Sequence, residues 1–102
     1  MRSEWIEYNG KKILYQDFSQ LFYNSAAVKA ELAEVQEIVK AQPKDSVLVL
    51  TDIRDTNVDA ELLPAMNAAS AATKAYVKKT AVIGVTGVKQ KLADLLTMIT
   101  GQ

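Results

Sequence analysis

Four consecutive aliphatic residues, Val47-Leu48-Val49-Leu50, constrain this chain more than anything else in it. Successive side chains of a strand point to opposite faces, so a strand of this composition is apolar on both. Such a strand belongs inside a mostly parallel sheet, with cover above and below. Pro43-Lys44-Asp45 supplies a turn before it, and Arg54-Asp55-Thr56-Asn57 a polar loop after it. The run is short for a buried helix and rich in valine, which selects strand. It closes on Thr51-Asp52, so a carboxylate sits at its carboxyl end.

The other elements fall into place around it. Glu4 to Asn9 reads as a strand, and Asn9-Gly10 as a two-residue hairpin turn whose central residues both need positive φ. Lys12 to Asp17 is the return strand. Leu21, Phe22 and Tyr23 are expected to lie over a core edge. Ser25 to Ala41 is helical, because Val28, Leu32, Val35 and Val39 recur on one stripe; Asn24 or Ser25 caps its start and Pro43 ends it. Asp59 is the expected cap of a second helix, with Val58 and Leu63 in staple positions. Pro64 predicts an irregular first turn over 59–63 and regular helix from Pro64 to about Tyr76. Lys79 to Val85 is the last strand, and Gly84-Val85-Thr86-Gly87 turns into a third helix with the stripe Val88, Leu92, Leu95 and Ile99. The fold class is therefore α/β, in the order β-β-α-β-α-β-α: a small mixed sheet with an N-terminal hairpin, flanking helices and right-handed crossovers. Residues 1–102 form a single domain. The loops at the carboxyl ends of the parallel strands gather on one edge, where a site is expected.

Composition limits the chemistry. The chain has no cysteine and no histidine, which removes disulfides, thiolate or imidazole metal sites, cysteine nucleophiles and histidine-based triads. Any catalysis would fall to Asp, Glu, Lys, Tyr, Ser or Thr. Net charge is zero, which argues against a dedicated nucleic-acid partner. The charges are uneven, however. From Glu31 to Glu61 acids dominate, whereas from Leu62 to Ala93 there are lysines and no acid. The sequence has neither an apolar run of membrane-spanning length nor a signal-peptide start, so no membrane span and a cytoplasmic location are expected.

Three segments carry a resemblance: Gly10-Lys11-Lys12-Ile13-Leu14-Tyr15, the strand ending Leu48-Val49-Leu50-Thr51-Asp52, and the stretch from Tyr76-Val77-Lys78-Lys79-Thr80 through Ala81-Val82-Ile83-Gly84-Val85-Thr86-Gly87. Together they resemble the SpoIIAA-like division of the STAS/SEC14 superfamily, which includes the anti-sigma-factor antagonists. The resemblance spans nearly the whole chain, and its last segment is the most specific. It implies a small sheet flanked by helices, and a regulatory module that binds a protein partner without being an enzyme. The best-understood relatives are switched by phosphorylation of a serine in an Asp-Ser-Ser-Gly motif at a helix start. Here Arg54-Asp55-Thr56-Asn57-Val58-Asp59 follows the central strand, with neither the serine pair nor the glycine, so that switch is not carried over. Thr56 is the nearest hydroxyl. The SEC14 side of the superfamily would make an apolar ligand natural among the aromatics of the first quarter.

Two constellations remain. Asp52, Asp55 and Asp59, with Asp17 nearby, could hold Mg²⁺ through carboxylate oxygens. The competing and preferred reading is structural: Asp52 accepts hydrogen bonds at a strand end and Asp59 caps a helix. Gly84-Val85-Thr86-Gly87, with Lys89 and Lys91 behind it, could receive an anion at a helix start, but is neither a Walker A loop nor a KH-type turn. Its structural reading is a tight turn with Thr86 as cap. No metal or cofactor is expected. The expected function is a non-enzymatic STAS-like interaction module, acting through Asp52, Asp55, Thr56 and Asn57 on one loop and Gly84, Thr86, Gly87 and Lys89 on the next. A protein partner comes first, a second copy of the chain next, with Trp5 the residue most suspected of an intermolecular contact. The alternative is a small-ligand domain taking a nucleotide, another anion or a lipid-like molecule between the last helix and the sheet.

Overall fold

The computed structural model describes residues 1–84. Within them the chain runs β1 (Glu4–Tyr8), β2 (Lys11–Asp17), α1 (Ser25–Lys40), β3 (Val47–Asp52), α2 (Leu62–Thr73) and β4 (Val77–Ile83). The class is α/β, with two helices and a four-stranded mixed sheet of order β1-β2-β3-β4. β1 pairs antiparallel with β2. β2 and β4 both pair parallel with β3. The expected third helix, and with it Thr86, Gly87 and Lys89, lies outside the described residues.

The aliphatic run occupies the predicted place. Val47, Leu48, Val49 and Leu50 are all buried, and β3 has a strand on each side. Their alternation divides the sheet into two faces. Val47 and Val49 join Leu14 of β2 and Val39 of α1, with Trp5 and Tyr76 packed against them. Leu48 and Leu50 join Ile13 and Ile83, with Ile6, Tyr8 and Tyr15 alongside. Trp5 is thus half-buried within the fold, its ring 4.2 Å from the ammonium of Lys12.

Asn9 and Gly10 have φ of 51° and 75°, the left-handed pair that the hairpin demands. The side chain of Asn24 accepts from Ala27 N and caps α1. The stripe Val28, Leu32, Val35 and Val39 is buried, as its period requires. Three of these residues meet Leu62 and Ala69 of α2 around Phe18.

Two elements differ in their bounds from expectation. α2 starts at Leu62, two residues before Pro64, and ends at Thr73. Proline is tolerated there because first-turn amides have no intrahelical acceptor to lose. The Asp59 carboxylate accepts from Glu61 N and Leu62 N, so the expected cap is present. β4 begins two residues earlier than predicted. The Tyr76 carbonyl accepts from both Ser46 N and Val47 N, and a register shift between Val47 and Leu48 draws Val77 into the ladder.

Candidate functional site

The loops that leave β2 and β3 lie side by side at the carboxyl edge of the sheet. Phe18 N donates to Asp52 O, Gln20 N to Arg54 O, Phe22 N to Asp55 O, and Asn57 N back to Phe22 O at 2.6 Å. The pairing of β2 with β3 therefore continues past both strands, as a ladder without regular strand geometry. Gln20, Phe22 and Asp55 take φ of 56°, 49° and 58° to keep it. For a bulky side chain such as Phe22 that conformation is uncommon and costs free energy, so the surrounding bonds must hold it.

Thr56 ties the two loops a second way. Its hydroxyl donates to the carbonyl of Phe18 and accepts from Leu21 N at 3.0 Å. Donor and lone pair are both committed to the partner loop, which gives Thr56 a structural role. Asn57 is exposed and reaches the ladder through its backbone. Asp55 is also exposed.

Asp52 is wholly buried at the end of β3. It accepts from Tyr15 Oη at 2.5 Å, from Arg54 N and Arg54 Nε at 3.0 Å each, and from Arg54 Nη2 at 2.8 Å. The guanidinium grips both carboxylate oxygens, the strongest geometry for this pair. Burial by itself would raise the Asp52 pKa, but the Arg54 and Tyr15 hydrogen bonds outweigh it and the net shift is downward. The same contact acts oppositely on the phenol. Burial, then the hydrogen bond and the charge of Asp52, push Tyr15 up to about 12. Arg54 moves further up from an already high value. All three groups are thereby held in their pH 7 forms, and none is poised to exchange a proton.

Of the four clustered carboxylates, Asp17, Asp52 and Asp59 are each separately employed. Asp17 accepts from Ser19 N and Ser19 Oγ in a local turn, and lies 3.6 Å from Arg2 Nη2. Asp59 caps α2, while Asp52 is saturated by Tyr15 and Arg54. Among the described residues no three acidic, histidine or cysteine side chains gather as a metal-binding group. Local turn, strand-end and cap bonds claim Asp17, Asp52 and Asp59, in line with the preferred structural reading of Asp52 and Asp59.

Gly84 has φ +101°, and a Cβ there would stand 2.7 Å from Arg54 N and 2.9 Å from Ile53 C. Glycine lets β4 exit directly against the backbone that leaves β3. Asp52, Thr56 and Gly84 are thus brought to one edge, as expected, although as a brace.

Two features were missed from sequence. Phe22 and Tyr23 are 60% and 85% exposed, where they were expected over the core. Glu31, on the buried side of α1, accepts from Arg2 N and Ser3 N, which fastens the start of β1 to the helix. These bonds and that of the Ser3 side chain overcome the effect of burial and lower its pKa. Its position three residues after Val28 was the available signal.

A cavity of about 590 Å³ opens on the face carrying the helices. Val49, Val58, Leu63, Met66 and Val82 give it apolar walls, with Gln16, Thr51 and Thr80 among the polar groups. Asp52 does not line it, nor does any described residue of the expected site. No helix among the described residues is long and apolar enough to cross a membrane. Comparison of the chain with protein-family models, with curated proteins and with solved structures finds no match in any of the three.

Proposed function

We propose that this chain is a non-enzymatic STAS-like interaction module whose working surface is the edge built from loops 18–24 and 53–61. One observation carries the reading: polar groups at that edge are spent on bracing each other, while Phe22 and Tyr23 are held out in solvent. Aromatic side chains held in place are the kind of residue that dominates protein interfaces. The exposed Asp55 and Asn57 beside them supply a polar rim. A catalytic role fits poorly, because Asp52, Tyr15 and Arg54 saturate one another. The element order β-β-α-β-α-β supports the STAS-like assignment, and a second copy of the chain is one candidate partner.

The test is a photo-crosslinking benzophenone residue placed at position 22 or 23 in cells, with position 37 on the exposed side of α1 as control. Discrete adducts at 22 and 23, absent at 37, are expected; self-adducts would make the partner a second copy. Equal labelling at all three positions, or none, sinks the reading.

The cavity favours a second reading, a small-ligand domain. Its volume lies in the range of small-molecule sites and its walls are mostly apolar. The ligand would sit among α1, α2 and the sheet, on the face opposite the Tyr15–Asp52 pair. A thermal-shift panel of nucleotides and fatty acids tests this, since selective binding to the folded state must raise Tm.

A further inference from the structure

β4 is the last strand of the sheet, and no strand pairs with its outer side among the described residues. The Ile83 carbonyl accepts from Ile53 N, so residues of its parity face β3. By the alternation of a parallel ladder, Thr80 and Val82 direct their amides and carbonyls outward. Their side chains line the cavity. A strand laid on this edge would therefore send alternate side chains into an apolar space already present. That space is several times the ~150 Å³ that accommodates a benzene.

Exposed edges are normally blunted by short length, proline or charge. β4 has seven residues and no proline, and its protection is Lys78 and Lys79. Lys74 at the end of α2 stands on the same rim. Among the described residues none of the three makes an ion pair or side-chain hydrogen bond, and no acid occurs between Leu62 and Gly84. A second copy would bring the same lysines to the same edge, so the basic charge disfavours self-pairing. An acidic strand is attracted by it.

We propose that the outer edge of β4 receives an extended acidic segment of a partner protein as an added strand, its apolar side chains alternating into the cavity and its carboxylates, on the opposite face, meeting Lys78 and Lys79. This main-chain mode of recognition draws affinity from the ladder and specificity from the pocket. It deepens the interaction-module reading, but uses a surface apart from Phe22 and Tyr23, so either can fail alone.

The probe is a fluorescein-labelled short peptide of alternating valine and glutamate, titrated by anisotropy against the full chain, with the valine–lysine peptide as comparison. Saturable binding of the acidic peptide is expected, weakening as salt rises. Lys78→Glu with Lys79→Glu should reduce it about tenfold or more and improve binding of the lysine peptide. Thr80→Pro, which removes an outward N–H that proline-tolerant edges can spare, should weaken it similarly. Phe22→Ala should leave it unchanged. The proposal is overturned if the acidic peptide does not saturate, if both peptides bind alike, or if charge reversal has no effect. Should Thr80→Pro fail to fold by circular dichroism, the lysine variants decide alone.

Discussion

The phenol of Tyr15 and the carboxylate of Asp52 meet at 2.5 Å across the junction of β2 and β3, and the contact pushes the phenol pKa up and the carboxylate pKa down. The contact links residues 37 apart in sequence and lies beside the guanidinium of Arg54. It makes the carboxyl edge of the sheet a closed electrostatic unit.

Spectrophotometric titration should show a phenol ionising near pH 12 that belongs to Tyr15. The folded pKa of Tyr15 is raised to about 12 from an ordinary 10. Its stabilisation is therefore complete below about pH 10 and lost as pH rises through 12. Tyr15→Phe should abolish the late-titrating phenol and cost about 1.5–3 kcal/mol in urea unfolding at pH 7, the value of a hydrogen bond to a charged group. A full complement of ordinary tyrosine pKa values in the wild type would contradict the pairing.

Asp52 contributes to the acid limb, alongside Glu31. Its folded pKa is depressed, so the pair's contribution is present above the unfolded value near 4 and disappears as pH falls through the folded one. Asp52→Asn should cost about 2–3 kcal/mol at pH 7, discounted because the Arg54 side chain is 60% exposed and can be rehydrated. The gap between wild type and variant should narrow toward pH 2. A gap independent of pH would show that the charge is not what matters.

Thr56 separates a structural hydroxyl from a shape requirement. Thr56→Val keeps the volume and removes the bonds to Phe18 O and Leu21 N, with an expected loss of about 1–3 kcal/mol. Thr56→Ser should retain most of the stability. Hydrogen exchange at Leu21 should accelerate in the valine variant alone.

Gly84→Ala should be among the most damaging single-methyl additions in the described chain. It combines a positive φ with a Cβ 2.7 Å from a backbone nitrogen, for a cost of about 2 kcal/mol or more. At 4–8 °C per kcal/mol for a chain near this size, the Tm should fall by roughly 8 °C or more. Gly10→Ala, with nothing within 4 Å of its Cβ, should pay for its φ and little else.

The features legible in sequence were those set by neighbours along the chain. Val47 to Leu50 announced a strand covered on both faces, Asn9-Gly10 announced its turn, and the stripe from Val28 to Val39 announced its helix. Asp59 was legible as a cap because its partners are Glu61 and Leu62. Glu31 was not, since its value lies in the amides of Arg2 and Ser3 far back in the chain. Phe22 misled because its residue type suggests the core, while its left-handed backbone, fixed by Asp55 and Asn57, turns it outward. The start of β4 was displaced by a register shift against β3, which no local pattern encodes.

The edge ladder from Phe18 to Asn57 also divides the chain into positions free to change and positions that are not. Its bonds run through backbone atoms and the one hydroxyl of Thr56, so the side chains of Gln20, Phe22, Asp55 and Asn57 can be exchanged without unpicking it, β-branched residues and proline excepted at the three positive-φ positions. Binding preference at that rim can drift by substitution while the platform beneath stays put, which is the division of labour an evolvable recognition surface needs.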